Sequence, residues 1–125
     1  MMETPSILVV DDELLIRDLL YDFFNGQGWQ ITVAENGEKA LEVLREKKVD
    51  LVLTDLRMPE MDGMALTSRV RESYPDMPVV IMTGYPSVES AVAALRSKVA
   101  DYVTKPFNIN ELYKTVESHL AQEKD

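Results

Sequence analysis

Three short runs of the chain are apolar at every position: Ile7-Leu8-Val9-Val10, Leu51-Val52-Leu53 and Val79-Val80-Ile81-Met82. A strand with one face in water alternates apolar and polar residues, so a run apolar on both parities needs cover on both sides. The segments between these runs repeat their apolar residues at helical spacing. Strands that alternate with helices and need cover on both faces point to an α/β fold built on a parallel sheet.

Each element can be placed. Ile16, Leu19, Leu20 and Phe23 mark a first helix, closed by Gly26 and Gly28. Trp29 to Ala34 reads as a second strand, and Asn36 caps a helix carrying Ala40, Leu41 and Leu44 inward and ending near Lys48. The third strand runs from Val49 to Thr54. Met64, Leu66 and Val70 form a short helix stopped by Tyr74-Pro75, and Pro78 introduces the fourth strand. Ser87 caps a helix with Val88, Ala91, Val92 and Leu95 on one face, and Asp101 to Thr104 is a brief fifth strand. Asn108 followed by Glu111 has the form of a capping box for a last helix, with Ile109, Leu112, Val116 and Leu120 inward. With no repeat, low-complexity stretch or linker, residues 1–125 read as one domain.

Composition narrows the function. The 125 residues carry 22 acidic against 13 basic side chains, a net charge of −9, which opposes direct binding to a phosphate backbone. Without cysteine there is neither a disulfide framework nor a thiolate metal site. No signal peptide is visible at the N-terminus, and no apolar stretch approaches the roughly 18 residues of a membrane span. A cytoplasmic location, away from the membrane, is therefore expected.

Open parallel sheets bind ligands beyond the carboxyl ends of their strands, where strand order reverses. Asp11 and Asp12 follow strand one, Asp55 ends strand three, Thr83 ends strand four and Lys105 follows strand five. In a 2-1-3-4-5 order, strands one and three are neighbours, and these residues converge on one rim. Taken singly, each could be a turn former; together they favour a site. Three close carboxylates must share a proton or a cation. Mg²⁺ suits them, since it is hard and is usually held by few carboxylates with waters and a phosphate. A carboxylate there can act as nucleophile toward phosphorus, with Lys105 and Thr83 receiving the phosphoryl oxygens.

With these residues the sequence resembles the receiver domain of bacterial two-component response regulators. The likeness covers nearly the whole chain and rests on "VVDDE" at 9–13, "AENGEKAL" at 34–41, "LTDLRMPEMDG" at 53–63, "VIMTGY" at 80–85 and "DYVTKPF" at 101–107. The resemblance implies a flavodoxin-like, doubly wound (βα)5 fold. It implies that Asp55 accepts a phosphoryl group from a histidine kinase or phosphotransfer protein. Asp12, Asp55 and the backbone carbonyl of Arg57 would hold Mg²⁺ directly, with Asp11 acting through water. Lys105 would contact the phosphoryl group, and its bond to Pro106 would be cis. Thr83 and Tyr102 would form a switch pair, changing the face of helix four, strand five and helix five for an output domain, an effector or a second copy.

Departures from the family pattern add expectations. Lys98 and Val99 stand where receivers often have Gly-Ala, so Lys98 is expected to be strained or the helix to end differently. Arg57 and Tyr85 flank the path of the hydrolytic water in receivers, and their bulk suggests a long-lived phosphoryl state. His119, the one histidine, reads as a solvated side chain without a role. A phosphatase of the haloacid dehalogenase type would need a second Asp where Arg57 stands, and a flavodoxin-like cofactor binder a phosphate loop where Asp11-Asp12-Glu13 stands. A pseudo-receiver usually lacks one of the acidic or lysine positions, all present here. The closing AQEKD run suits a free terminus and a linker equally.

Overall fold

The computed structural model describes residues 4–120, so the AQEKD run at 121–125 lies outside the described residues. Strands β1 (Ser6–Val10), β2 (Gln30–Ala34), β3 (Leu51–Asp55), β4 (Val79–Thr83) and β5 (Asp101–Thr104) alternate with five helices. The helices are α1 (Leu14–Gly26), α2 (Gly37–Glu46), α3 (Gly63–Ser73), α4 (Val88–Arg96) and α5 (Ile109–Leu120). All pairings are parallel, in the expected order β2-β1-β3-β4-β5.

Alternate residues of the apolar runs enter two separate cores. Leu8, Val10, Val52, Val79 and Ile81 pack with Ala40 and Leu44 of α2 and with Leu66 and Val70 of α3. Ile7, Val9, Leu51, Leu53, Val80 and Met82 pack on the other side with Leu20 and Phe24 of α1 and with Leu112 and Val116 of α5. The runs are apolar on both parities because each parity has its own helical layer. On the α1/α5 side, the rings of Trp29, Phe24 and Tyr113 form a mutually contacting cluster, with Trp29 at centroid distances of 5.3 and 4.9 Å from the other two and those two 6.2 Å apart. No helix among the described residues is long and apolar enough to cross a membrane.

The helix termini follow their capping chemistry. Asn36 Oδ1 accepts from the Lys39 amide, Asp62 Oδ1 from Ala65, Ser87 Oγ from Ser90, and Asn108 Oδ1 from Asn110 and Glu111. Each bond satisfies an amide that the helix itself leaves unpaired.

The structure differs from the sequence reading at several places. The apolar face of α4 is turned to solvent, with Val88 82%, Leu95 77% and Val92 39% exposed, and Ala94 is its buried residue. Periodicity reveals that a stripe exists but not which side meets the sheet. Leu19 is likewise 47% exposed, while Phe24 supplies the deeper contact of α1. β2 starts one residue later than expected and β3 two residues later.

Lys98 adopts φ 60°, so the strained version of the expectation holds. Its amide bonds Leu95 O, and the next amide, of Val99, returns to Ala94 O, the wrapped ending that favours glycine. Lys98→Gly is expected to raise stability by about 0.5–1 kcal/mol, the left-handed penalty less the extra chain entropy that glycine loses on folding. Urea unfolding reads this directly, and a midpoint at or below wild type would remove strain as the explanation.

Candidate functional site

The polar residues at the carboxyl rim are held by backbone bonds that continue the sheet past its strands. The Asp11 amide bonds Ala34 O at 3.1 Å, the Leu56 amide bonds Met82 O at 2.7 Å, and the Lys105 amide bonds Thr83 O at 2.7 Å. The loop after β3 folds back on the strand it leaves. The Gly63 amide donates to Leu56 O, and a Cβ built on Gly63 would lie 2.5 Å from the Asp55 carbonyl oxygen. Only glycine permits that approach, so Gly63 is a packing requirement of the loop carrying Asp55. Glu60 takes φ 70° on the way round. Asp55 shares the strand parity of Leu51 and Leu53, which point into the α1/α5 core.

Asp11, Asp12 and Asp55 each offer a carboxylate oxygen, all within 4.8 Å of one another. Asp11 is fully buried and Asp55 is 6% exposed, whereas Asp12 faces solvent. Lys105 Nζ lies 3.0 Å from Asp11 Oδ2, 3.4 Å from Glu13 Oε1 and 3.5 Å from Asp55 Oδ1. One ammonium therefore faces several carboxylates. Burial pushes the Asp55 carboxyl up to about 6; the Asp11 charge adds to the rise, and Lys105 opposes it. Burial also raises Asp11, against the Glu13 amide and Lys105. Burial alone would lower Lys105, but its hydrogen bond to Asp11 and the surrounding negative charge hold it above the ordinary lysine value.

An all-oxygen donor set with excess negative charge fits a hard divalent cation: Asp11, Asp55 and Glu13 share one ammonium, Lys105, and Asp12 adds a further carboxylate. The residues present fit Mg²⁺. The structure brings Asp11, Asp12, Asp55 and Lys105 together, and the Lys105–Pro106 bond is cis.

Thr83 is fully buried, and its Oγ1 accepts from the Tyr85 amide at 3.0 Å. Tyr102 pairs across the sheet with Ile81, and Thr83 lies two residues on, so both side chains project from the same face. The Tyr102 hydroxyl is 2.5 Å from Ser90 Oγ on α4. Arg57 extends outward, its guanidinium carbon 5.3 Å from the ring centre of Tyr85, itself 70% exposed. Sequence reasoning missed Glu13 as a partner of Lys105, and Ser90. For Glu13 the signal was present in the "DDE" triplet, two residues beyond Asp11. His119 is a correction: it is partly buried, with Nε2 3.1 Å from Asp101 Oδ2. A single histidine on a helix shows no pairing until β5 is laid beside α5.

Comparison with known proteins agrees with this geometry. Residues 7–117 match the family model described as the response regulator receiver domain. The chain is 44% identical over 119 residues to the transcriptional regulatory protein ZraR of Klebsiella oxytoca, covering 95% of this chain and 27% of that protein. The chain thus spans about a quarter of the length of the curated relatives it matches. The receiver domain protein (CheY-like) of Methanospirillum hungatei superposes with a TM-score of 0.90 at 27% identity, covering 94% of each chain. The response regulator protein TrrA of Thermotoga maritima, solved in complex with Mg²⁺ and BeF, superposes with a TM-score of 0.84 at 34% identity, covering 93% of this chain and 99% of that one.

Proposed function

The chain belongs to the response regulator receiver family, and from that premise we propose that residues 1–125 form a single receiver domain phosphorylated on Asp55. It is a signalling module of two-component systems. The observation that carries the assignment to Asp55 is its placement: a buried carboxylate at a strand end, 3.5 Å from Lys105 and within 4.8 Å of two further carboxylates.

With a carboxyl near 6, Asp55 is ionised at neutral pH and can attack phosphorus. An oxygen–phosphorus bond forms at Asp55 as the phosphorus–nitrogen bond of the donor's phosphohistidine breaks. Lys105 meets the charge on the transferring oxygens, and the Thr83 hydroxyl turns to one of them. Asp12, Asp55 and the Arg57 carbonyl would hold Mg²⁺ directly and Asp11 would act through water. When bound, the ion neutralises charge between the carboxylates and the phosphoryl oxygens. Tyr102 then moves behind Thr83, and the face of α4, β5 and α5 changes for its reader. Apart from phosphorylating and dephosphorylating itself, the domain turns over no substrate.

The donor in this proposal is a sensor histidine kinase or phosphotransfer protein. The reader is an output domain or effector, with a phosphorylation-dependent homodimer as a further form. The likeness to transcriptional regulators supports a cytoplasmic setting, and the net charge of −9 assigns DNA contact to another domain or protein.

Incubation with acetyl phosphate and Mg²⁺, followed by intact mass measurement, tests the assignment. One phosphoryl adduct is expected on the wild type and none on Asp55→Ala. Unmodified wild type, or an adduct that survives the substitution, would overturn it.

We propose further that the Arg57 and Tyr85 side chains, whose guanidinium carbon and ring centre lie 5.3 Å apart, shield the phosphoryl group from water and slow its loss. Replacing both by alanine is expected to speed dephosphorylation several-fold, read as decay of the adduct after the donor is removed. A decay rate equal to wild type counts against shielding by these side chains.

A further inference from the structure

α4 buries one residue, Ala94, fewer than any other helix among the described residues. Its apolar side chains Val88, Val92 and Leu95 lie outward, so hydrophobic contact does little to hold it. Polar bonds tie its two ends to different parts of the molecule. At the N-terminal end, Ser90 Oγ meets the Tyr102 hydroxyl, and the same Ser90 forms a capping box with Ser87. At the C-terminal end, Arg71 of α3 donates from Nη2 to the Lys98 carbonyl at 2.6 Å. Its Nη1 donates to the carbonyls of Pro75 and Met77, at 3.1 and 3.0 Å, in the loop that enters β4. Arg71 Nε is buried without a hydrogen-bond partner, and the bonds of the guanidinium run from Nη1 and Nη2 to these three carbonyls.

A guanidinium is rigid, permanently charged and forked, which suits it to join two loops at fixed separation. Lys98, the left-handed residue that ends α4, supplies the carbonyl that receives one tine. The Val99 and Ala100 amides follow at once, bonded to Ala94 O and Val79 O, where the chain rejoins the sheet.

We propose that Arg71 is a positioning residue that fastens the C-terminal end of α4, independently of the Tyr102–Ser90 contact that holds its N-terminal end. α4 then has one permanent and one releasable attachment. On the reading that phosphorylation of Asp55 draws Tyr102 inward, on which this consequence rests, release of Ser90 lets α4 swing about the end held by Arg71. The amplitude of change at the reader's face is set by a residue of α3 that touches neither the phosphoryl site nor the outer surface of α4.

Residue-resolved amide hydrogen exchange on the full chain tests this. The variants are Arg71→Gln, which keeps the stem and removes the fork, Arg71→Lys, and Tyr102→Phe. Arg71→Gln is expected to speed exchange at Lys98, Val99 and Ala100 by about tenfold, the loss of one charge-assisted hydrogen bond. The amides of Ala91, β1 and β3 should keep their wild-type rates. Tyr102→Phe should give the converse, faster exchange at Ser90 and Ala91 with Val99 and Ala100 unchanged, and Arg71→Lys should fall between wild type and Arg71→Gln.

Wild-type rates at Lys98, Val99 and Ala100 in Arg71→Gln, or equal acceleration at both ends of α4 in either variant, would overturn the proposal. Should Arg71→Gln lose protection in β1 and β3, Arg71→Lys becomes the deciding variant: acceleration confined to the turn supports the fastening, and wild-type rates refute it. Adding beryllofluoride and Mg²⁺ to the wild type should alter exchange at Ser90 and Ala91 while Val99 and Ala100 stay protected. No response at any amide counts against the Asp55 reading, and the fastening is still decided by the variants without these additives.

Discussion

Lys105→Ala is expected to lose about 3 kcal/mol of stability at pH 7, the cost of leaving buried charge without its partner. Lys105 is the ammonium that faces Asp11 and Asp55, and both the lysine and these carboxylates are largely withdrawn from water. Its elevated value means that its contribution is fully present below the ordinary lysine range and is lost only as pH rises through the folded value. The whole effect is therefore in force at neutral pH. Asp11 and Asp55 are already raised, and without Lys105 they rise further, so acid neutralises the charges that the variant strands. The deficit should accordingly shrink between pH 7 and pH 5. Urea unfolding of both proteins at the two pH values measures it, and a deficit that is absent at pH 7 or grows on acidification would refute the account. The same substitution should abolish detectable phosphorylation by acetyl phosphate, because the remaining groups at the rim are predominantly negative.

Asp55→Asn is expected to act in the opposite direction on stability while also preventing phosphorylation. The Asp55 carboxyl is raised from 3.8 to about 6 by burial and by the Asp11 charge, so the folded state binds its proton more tightly than the unfolded chain does. Stability drawn from this group is greatest below 3.8 and falls as pH rises through the interval up to about 6, beyond which the loss is complete. A shift of this size corresponds to about 3 kcal/mol at neutral pH. Asparagine carries no charge, so the variant should be more stable than wild type by about 2–3 kcal/mol at pH 7.5, and the gap should nearly close by pH 4. Mg²⁺ should narrow the gap at pH 7.5 by stabilising the wild type more than the variant. A variant no more stable than wild type at pH 7.5 would show that Asp55 bears no unfavourable charge. Stabilisation together with loss of phosphorylation separates a functional carboxylate from one that serves the fold.

Much of the architecture was legible because its signals are local. Runs such as Leu51-Val52-Leu53 require cover on both faces, and the carboxylates, Thr83 and Lys105 stand at strand ends in chain order. Once the strand order is given, that chain order is enough to converge them, and Asp11, Asp12, Asp55 and Lys105 do converge. At Lys98 the sequence, set against the family pattern, left two outcomes open, a strained residue or a different helix ending, and the fold decided for the first. What was not legible depends on orientation and on long-range contact. The stripe Val88, Val92 and Leu95 has the period of a buried face and lies in solvent, because α4 meets the sheet through Ala94. Neither the Arg71–Lys98 bond nor the His119–Asp101 pair has a sequence signature, as their partners are brought together only by neighbouring elements.

By itself, then, the sequence determined the order and type of the elements, the two-sided sheet and the identity of the groups at its rim. Local preference and the two-residue and helical periods act within a few residues, and the runs here satisfy them without conflict. The tertiary structure alone decided which groups are buried, and so which are shifted. Asp11 and Asp12 are adjacent in sequence, yet Asp11 is fully buried and Asp12 faces solvent. It also decided that one ammonium serves several carboxylates and that α4 is tied at its ends instead of along its face. Desolvation and Coulomb energies depend on distances through space and on access to water, and those are properties of the assembled fold.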